Sequence, residues 1–250
     1  MYKDRFPEDL YQPIDRSIFN HDVQRGYDIA SDNTIAVVGL AYNCEDVILR
    51  NISRAMELGS FFKENRIFVV ENGSTDNTSS LVSGFGKSLS MTRPKFDPID
   101  SVRFHYMAKI RNEYMAWLKK VCPDYVLVYD FDIKGGFSYD GIMHSLAQRK
   151  QAVGSNGLIY TPERKFYDYI SLIYSDKRKG NGDVHYQRGE PLLRVESVFG
   201  GACLYKYSYI SELHYNGRFD GCEHTSVNQR LECFLNPSQI VLYSDNYYTE

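Results

Sequence analysis

The chain has 250 residues, enough to bury a substantial core in one large domain or two small ones. Hydrophobic residues make up 43% and charged residues 24%, and the net charge is -3, so no overall basic field draws the protein to nucleic acid. Five cysteines, at 44, 122, 203, 222 and 233, are odd in number and lack the spacing of a metal site, which excludes a disulfide scaffold and points to reduced thiols in a cytoplasmic setting.

The opening MYKDRFPEDLYQ is too polar for a signal peptide, and no run approaches the ~20 apolar residues that a membrane helix needs. Residues 1–33 show no clear period and are expected to form an irregular lead-in. Residues 34–42, TIAVVGLAY, form the short continuous apolar run of a strand buried on both faces. Asn43 is placed to cap a helix over residues 45–63, where Ile48, Ile52, Met56 and Phe62 recur near helical spacing. RIFVVE, residues 66–71, is a second buried strand, and NGSTDNT after it is a turn with a helix cap at Thr75 or Asp76. This β-α-β order implies a parallel sheet.

Residues 84–101 read as a loop. Met107, Ile110, Tyr114, Trp117 and Leu118 share one face of a helix over 103–120, and DYVLVYD, residues 124–130, is a third buried strand. The alternation predicts an α/β fold with a mostly parallel open sheet flanked by helices. In the second half, 140–150 reads as a helix and 151–160 as a strand. The span 176–190 is a basic, Gly-rich loop whose Lys177, Arg178, Lys179, His185 and Arg188 either fold over a bound diphosphate or form a solvated face. A strand over 197–206 is interrupted by Gly200 and Gly201, and a last helix is expected over 223–234.

Asp130-Phe131-Asp132 ends the third strand, at the carboxyl edge where open α/β sheets bind ligands. Mg2+ and Mn2+ prefer oxygen ligands and are often shared between one or two carboxylates and substrate phosphates. Such a pair also arises in ordinary turns, because Asp favours them. Glu71 through Thr78 reads as a strand-to-helix turn that also presents Glu71, Asn72 and the Gly73 backbone at the same edge, with Ala41 and Asn43 beside them. The 21 tyrosines suit sugar and base contacts, and equally suit half-buried structural positions.

The succession TIAVVGLAYN, IFVVENGSTDNT and YVLVYDFD resembles the nucleotide-binding half of GT-A glycosyltransferases, nearest to family 2-like members and fungal capsule-type mannosyltransferases. HYMAKIRNEYM, FGGACLYK and FDGCEHTSVNQRL extend the resemblance over roughly residues 25–245, and order and spacing are its specific part. It implies a single domain with a Rossmann-like sheet: a lead-in at 1–33, a nucleotide-sugar-binding half at 34–139 and an acceptor-binding half at 140–250. Ala41, Asn43, Glu71, Asn72, Gly73 and Phe131 would lie at the nucleotide-sugar, Asp130 and Asp132 would hold Mn2+ or Mg2+ and the diphosphate, and Arg111 would lie beside the donor. Gly200 and Gly201 would let the backbone pass close to the acceptor.

At Cys222-Glu223-His224 the chain departs from the family 2 pattern, where Glu-Asp is usual, although Arg230-Leu231 follow as expected. Glu223 is then the candidate general base, and His224 a candidate third metal ligand. The implied activity is metal-dependent transfer of a hexose or pentose from a nucleotide-sugar, with UDP the commonest carrier, to a glycan or glycoconjugate hydroxyl. Inversion is favoured if Glu223 reaches that hydroxyl. The rivals are a sugar nucleotidyltransferase, whose basic phosphate loop LAYNCED lacks, and a non-catalytic nucleotide- or glycan-binding domain.

Overall fold

The computed structural model describes residues 6–86, 89–92, 103–160, 164–217 and 222–244. In chain order these form α1 (Arg16–Asp32), β1 (Thr34–Ala41), α2 (Ile48–Gly59), β2 (Glu64–Glu71), α3 (Thr78–Ser83), β3 (Ser90–Thr92), α4 (Arg103–Val121), β4 (Tyr125–Tyr129) and β5 (Gly136–Phe137). There follow α5 (Tyr139–Ala147), β6 (Ala152–Tyr160), β7 (Arg164–Phe166), β8 (Ile173–Tyr174), β9 (Leu193–Ser197), β10 (Ala202–Lys206), α6 (Tyr207–Ile210), α7 (Thr225–Asn228) and β11 (Cys233–Leu242).

All the strands join one sheet in the order β3-β2-β1-β4-β10-β6-β11-β9-β8, with β5 paired to β11 and β7 to β6. From β3 to β4 the pairs are parallel, as the β-α-β alternation predicts. Beyond them β10 runs antiparallel to β4 and β6, while β6 and β11 are again parallel. Successive side chains of β1 therefore enter opposite cores. Ile35 and Val37 pack with α1, α2 and α5 on one face; Ala36, Val38 and Leu40 pack with α4 on the other. Helices on both faces are why this strand reads as an unbroken apolar run.

The register makes the functional edge. Ala41 stands opposite Glu71, and Val38 opposite Val128, so β2, β1 and β4 release their chains at one rim. The residues that follow, Tyr42, Asn72 and Asp130, all come to the same cleft.

Several expectations are corrected. The lead-in contains a 17-residue helix, α1, whose first turn is capped by Asp15, with its carboxylate accepting from the Ser17 and Ile18 N–H groups. Asn43 does not cap α2, which starts after Val47 without a side-chain cap; its φ is 46° and its Oδ1 accepts from the Thr75 N–H at 2.8 Å. Asn43 instead ties the β1 loop to the β2 loop. Asp76 does receive the Thr78 N–H at 2.9 Å at the start of α3. Gly200 and Gly201 separate two strands, β9 and β10, that pair with different neighbours. The helix expected over 223–234 shrinks to α7, and β11 begins at Cys233. Much of the loop expected over 84–101, and Phe219, Asp220 and Gly221 of the later motif, lie outside the described residues.

α1 reaches the sheet by packing on α5, and the contact is close: a Cβ on Gly26 would stand 1.9 Å from the Met143 carbonyl oxygen. Gly26→Val is expected to lower unfolding free energy by roughly 1–3 kcal/mol through overpacking. Urea denaturation at constant m-value measures this, and an unchanged midpoint would contradict the packing.

Candidate active site

A cleft of about 350 Å³ opens at the carboxyl ends of β1, β2 and β4. One wall is a single face of α4, because Arg103, Met107 and Arg111 recur at every fourth residue and all line it. Tyr42 and Asn72 stand at the strand ends, Asp130 and Asp132 lie on the rim after β4, and Glu223 and His224 approach from the turn before α7.

Arg111 joins these parts. It is 2% exposed, its Nε donates to Glu223 Oε1 at 2.7 Å, and its Nη2 donates to Asp130 Oδ1 at 3.3 Å. Its guanidinium carbon also lies 5.3 Å from the centre of the Phe199 ring. The surface ion pair that the sequence equally permitted is thereby excluded. Asp130 is set in place from below, its N–H bonding the Gly201 carbonyl at 3.1 Å.

Burial pushes the Asp130 carboxyl up, Arg111 draws it back down, and Asp132 and Asp168 raise it further. Burial likewise raises Asp132. These acids share a rim with too little positive charge around them.

Asp168 is the functional candidate that the sequence reading missed. It lies on the cleft wall in a turn after β7, with φ at 60°, a conformation that a non-glycine residue adopts at a cost. Its Oδ2 is buried and has no hydrogen-bond partner among the described residues. Burial raises its carboxyl to about 7, against lowering by a Ser171 hydrogen bond, with Glu223 adding a further rise. FYDYIS carries no motif around it. The positive φ and the unpartnered oxygen that mark the position are invisible in sequence.

His224 is buried and stacks on Phe199 with ring centroids 3.8 Å apart. Desolvation and then the Arg111 charge push it well below the usual histidine range, so it is neutral. Both ring nitrogens lack a hydrogen-bond partner among the described residues. Among those residues no three His, Cys, Asp or Glu side chains form a metal-holding group in this structure.

Of the nucleotide-side candidates, Asn72 lines the cleft and its Oδ1 accepts from the Tyr106 hydroxyl at 2.8 Å. Gly73, at φ 78°, has open space where a side chain would be. Glu71 is buried, and its Oε1 accepts from the Ser74 N–H at 2.6 Å, shaping the turn rather than facing the cleft. Ala41 is buried and offers its carbonyl to the Asn72 N–H at 3.0 Å, while the next residue, Tyr42, takes the place on the wall.

Phe131 is fully buried, its ring edge-on to Tyr129 in the core. Gly200 and Gly201 also lie below the cleft. A Cβ on Gly200 would stand 2.2 Å from the Ser155 carbonyl, so close strand packing explains that glycine without an acceptor. Of the basic residues in 176–190, Lys177 pairs with Glu196 at 2.9 Å and Arg178 with Asp176 at 2.6 Å. Arg188 is buried against Glu8 at 2.7 Å, so it is no part of a closing flap.

No protein-family model matches the chain, and no curated protein matches it in sequence. Solved structures match in fold. TarS of S. aureus, residues 1-349 in complex with UDP-GlcNAc, superposes with a TM-score of 0.53 at 13% identity, over 84% of this chain and 58% of that one. The mannosyltransferase PcManGT from Pyrobaculum calidifontis, in complex with GDP-Man and Mn2+, gives 0.54 at 12% identity, over 90% and 62%. GalNAc-T7 with UDP, GalNAc and Mn2+ gives 0.57 at 10% identity, over 85% and 44%. The chain thus spans less than two thirds of the length of these proteins. It has their mixed α/β fold, the GT-A arrangement expected from the sequence.

The raised Asp168 carboxyl sets a pH dependence of stability. An acid whose folded pKa exceeds its unfolded one holds more protons folded than unfolded between the two values, so stability falls as pH rises through that window. For Asp168 the window runs from the model-peptide range near 4 up to about 7. Asp168→Asn is expected to stabilise the metal-free protein at pH 8, by up to roughly 4 kcal/mol, with little effect at pH 4. Thermal melts in EDTA across that range test it; equal effects at both ends would show that Asp168 is not a strained acid.

Proposed function

We propose that this chain is a metal-dependent glycosyltransferase that moves a sugar from a nucleotide-sugar, UDP-linked by preference, to a hydroxyl of a glycan or glycoconjugate. The observation that carries the reading is the pair Asp130 and Asp132 on the rim of a cleft that Glu223 also lines, with Arg111 bonded to both Asp130 and Glu223. The ligands of the structural neighbours, UDP-GlcNAc, GDP-Man with Mn2+, and UDP with GalNAc and Mn2+, support it. In this reading residues 34–139 hold the donor and 140–250 the acceptor. Among the described residues no helix is long and apolar enough to cross a membrane.

The residues on the rim fit a hard divalent cation. Asp130 and Asp132 supply oxygen ligands, burial raises the pKa of both carboxyls, and Asp168 adds a buried oxygen without a partner. With only a few protein ligands, the diphosphate oxygens would complete the coordination. Bound there, Mn2+ or Mg2+ would supply Lewis-acid neutralisation of the diphosphate leaving group.

The chain's own groups do the rest. Tyr42 offers an aromatic wall and Asn72 a polar one for the nucleoside. Arg111, held by Glu223 and Asp130, fixes the spacing between the donor side and the acceptor side. Glu223 takes the proton from the attacking hydroxyl, and direct attack inverts the anomeric centre. Positive charge developing at that carbon is stabilised by the surrounding carboxylates. A second assignment of the base is favoured by one observation: Glu223 Oε1 is committed to Arg111 at 2.7 Å, whereas Asp168 has an uncommitted oxygen on the same wall.

Release of nucleoside diphosphate from a panel of nucleotide-sugars, with and without Mn2+, tests the reading. Asp132→Ala is expected to cut turnover by at least about a hundredfold while leaving the far-ultraviolet circular dichroism unchanged. Glu223→Gln should cripple transfer and spare donor binding; if it is active and Asp168→Asn is not, the base is Asp168. Pyrophosphate exchange instead of diphosphate release would favour the nucleotidyltransferase, and neither activity would leave a binding domain.

A further inference from the structure

A second cavity, of about 730 Å³, is lined in part by β6 and β11. Leu158 of β6 lines it, whereas Tyr167, whose N–H bonds the Gly157 carbonyl at 2.9 Å, lines the cleft. Its other walls come from the segment before α1 and from residues 185–190.

We infer that this cavity is a saccharide-binding site separate from the cleft, taking a neutral oligosaccharide. Two buried polar atoms at the cavity residues lack partners among the described residues, Asn156 Oδ1 and Arg188 Nε. The Asn156 amide spends both its N–H groups on the carbonyls of Tyr186 and Pro237, each at 3.2 Å, so its oxygen is the one polar atom of that side chain without a partner. Arg188 gives Nη1 to the Tyr11 carbonyl at 3.1 Å and Nη2 to Ser138 Oγ at 2.8 Å.

Charge selects the class of ligand. The Arg188 charge is matched by Glu8 at 2.7 Å, and Glu190 stands on the same wall, so the cavity offers no net attraction to a phosphate or carboxylate. What it offers is the amides of Gln12 and Gln187, each able to donate and accept, beside the rings of Tyr11 and Tyr186. Hydroxyls that both donate and accept, carried on a body with apolar C–H faces, match that set. Service of this site to an acceptor chain running toward the cleft rests on the proposed glycosyltransferase; the binding itself does not.

Titration of the full chain with maltotriose, cellotriose, chitotriose and mannotriose, followed by calorimetry, tests the site, with inorganic phosphate as the anionic control. At least one trisaccharide is expected to bind. Gln12→Ala and Gln187→Ala, both at exposed positions, should each weaken it by about five- to tenfold, the worth of one hydrogen bond. Donor hydrolysis in the cleft should stay unchanged in both variants. No trisaccharide binding, binding indifferent to both variants, or preferential binding of phosphate would overturn the inference. Trisaccharide binding in a protein that turns over no nucleotide-sugar would leave this site standing while removing the transferase.

Discussion

The Arg111 guanidinium, shut away from water between Asp130 and Glu223, is the contact on which the site depends. A buried charge is tolerable only when paired and hydrogen-bonded, so the position of Arg111 dictates where both carboxylates must be. Asp130 directly follows β4 and Glu223 lies in a turn nearly a hundred residues later, and α4 supplies the cation that joins them. One arginine is nevertheless too little for this rim. Asp130, Asp132 and Asp168 are all raised by desolvation, and Asp130 and Asp168 also by neighbouring carboxylates. The remaining deficit of positive charge is met either by protons or by a cation, which is the physical case for metal and diphosphate at this edge.

The sheet brings these groups to one place by simple means. Parallel strands β2, β1 and β4 end in register, so three unrelated loops meet at one rim. The loops then lock together through Asn43 and Thr75, and Glu45 and Asn77. Across the sheet, β10 runs back against β4 and delivers Gly201 beneath Asp130. The glycines there serve close backbone approach, while the polar groups above them face the cleft.

The first half of the sheet was readable because its physics is local. Unbroken apolar runs mark β1, β2 and β4, and a strand followed at once by Asp130-Phe131-Asp132 marks the rim. α1 escaped notice because its buried stripe is Phe19, Val23, Gly26 and Ala30, half of it small residues chosen for contact with α5, while Ile18 faces water. β11 was hidden by composition: Asn236, Ser238 and Gln239 are fully buried in a network with Ser145 and Ser155, so a core strand reads as polar. The resemblance alone puts Phe131 and Ala41 at the ligand, and the structure buries both side chains. Asp168 could not be found from sequence, because its role comes from a turn conformation and from neighbours distant in the chain.

The central claim is that the acidic rim after β4 holds a divalent cation against a nucleotide diphosphate. Crystals grown with UDP and Mn2+, measured on both sides of the manganese absorption edge, test it most directly. The account predicts an anomalous peak within coordination distance of Asp130 or Asp132 and of the diphosphate oxygens. Nucleotide bound in the cleft with manganese elsewhere, or neither bound there at all, would contradict it.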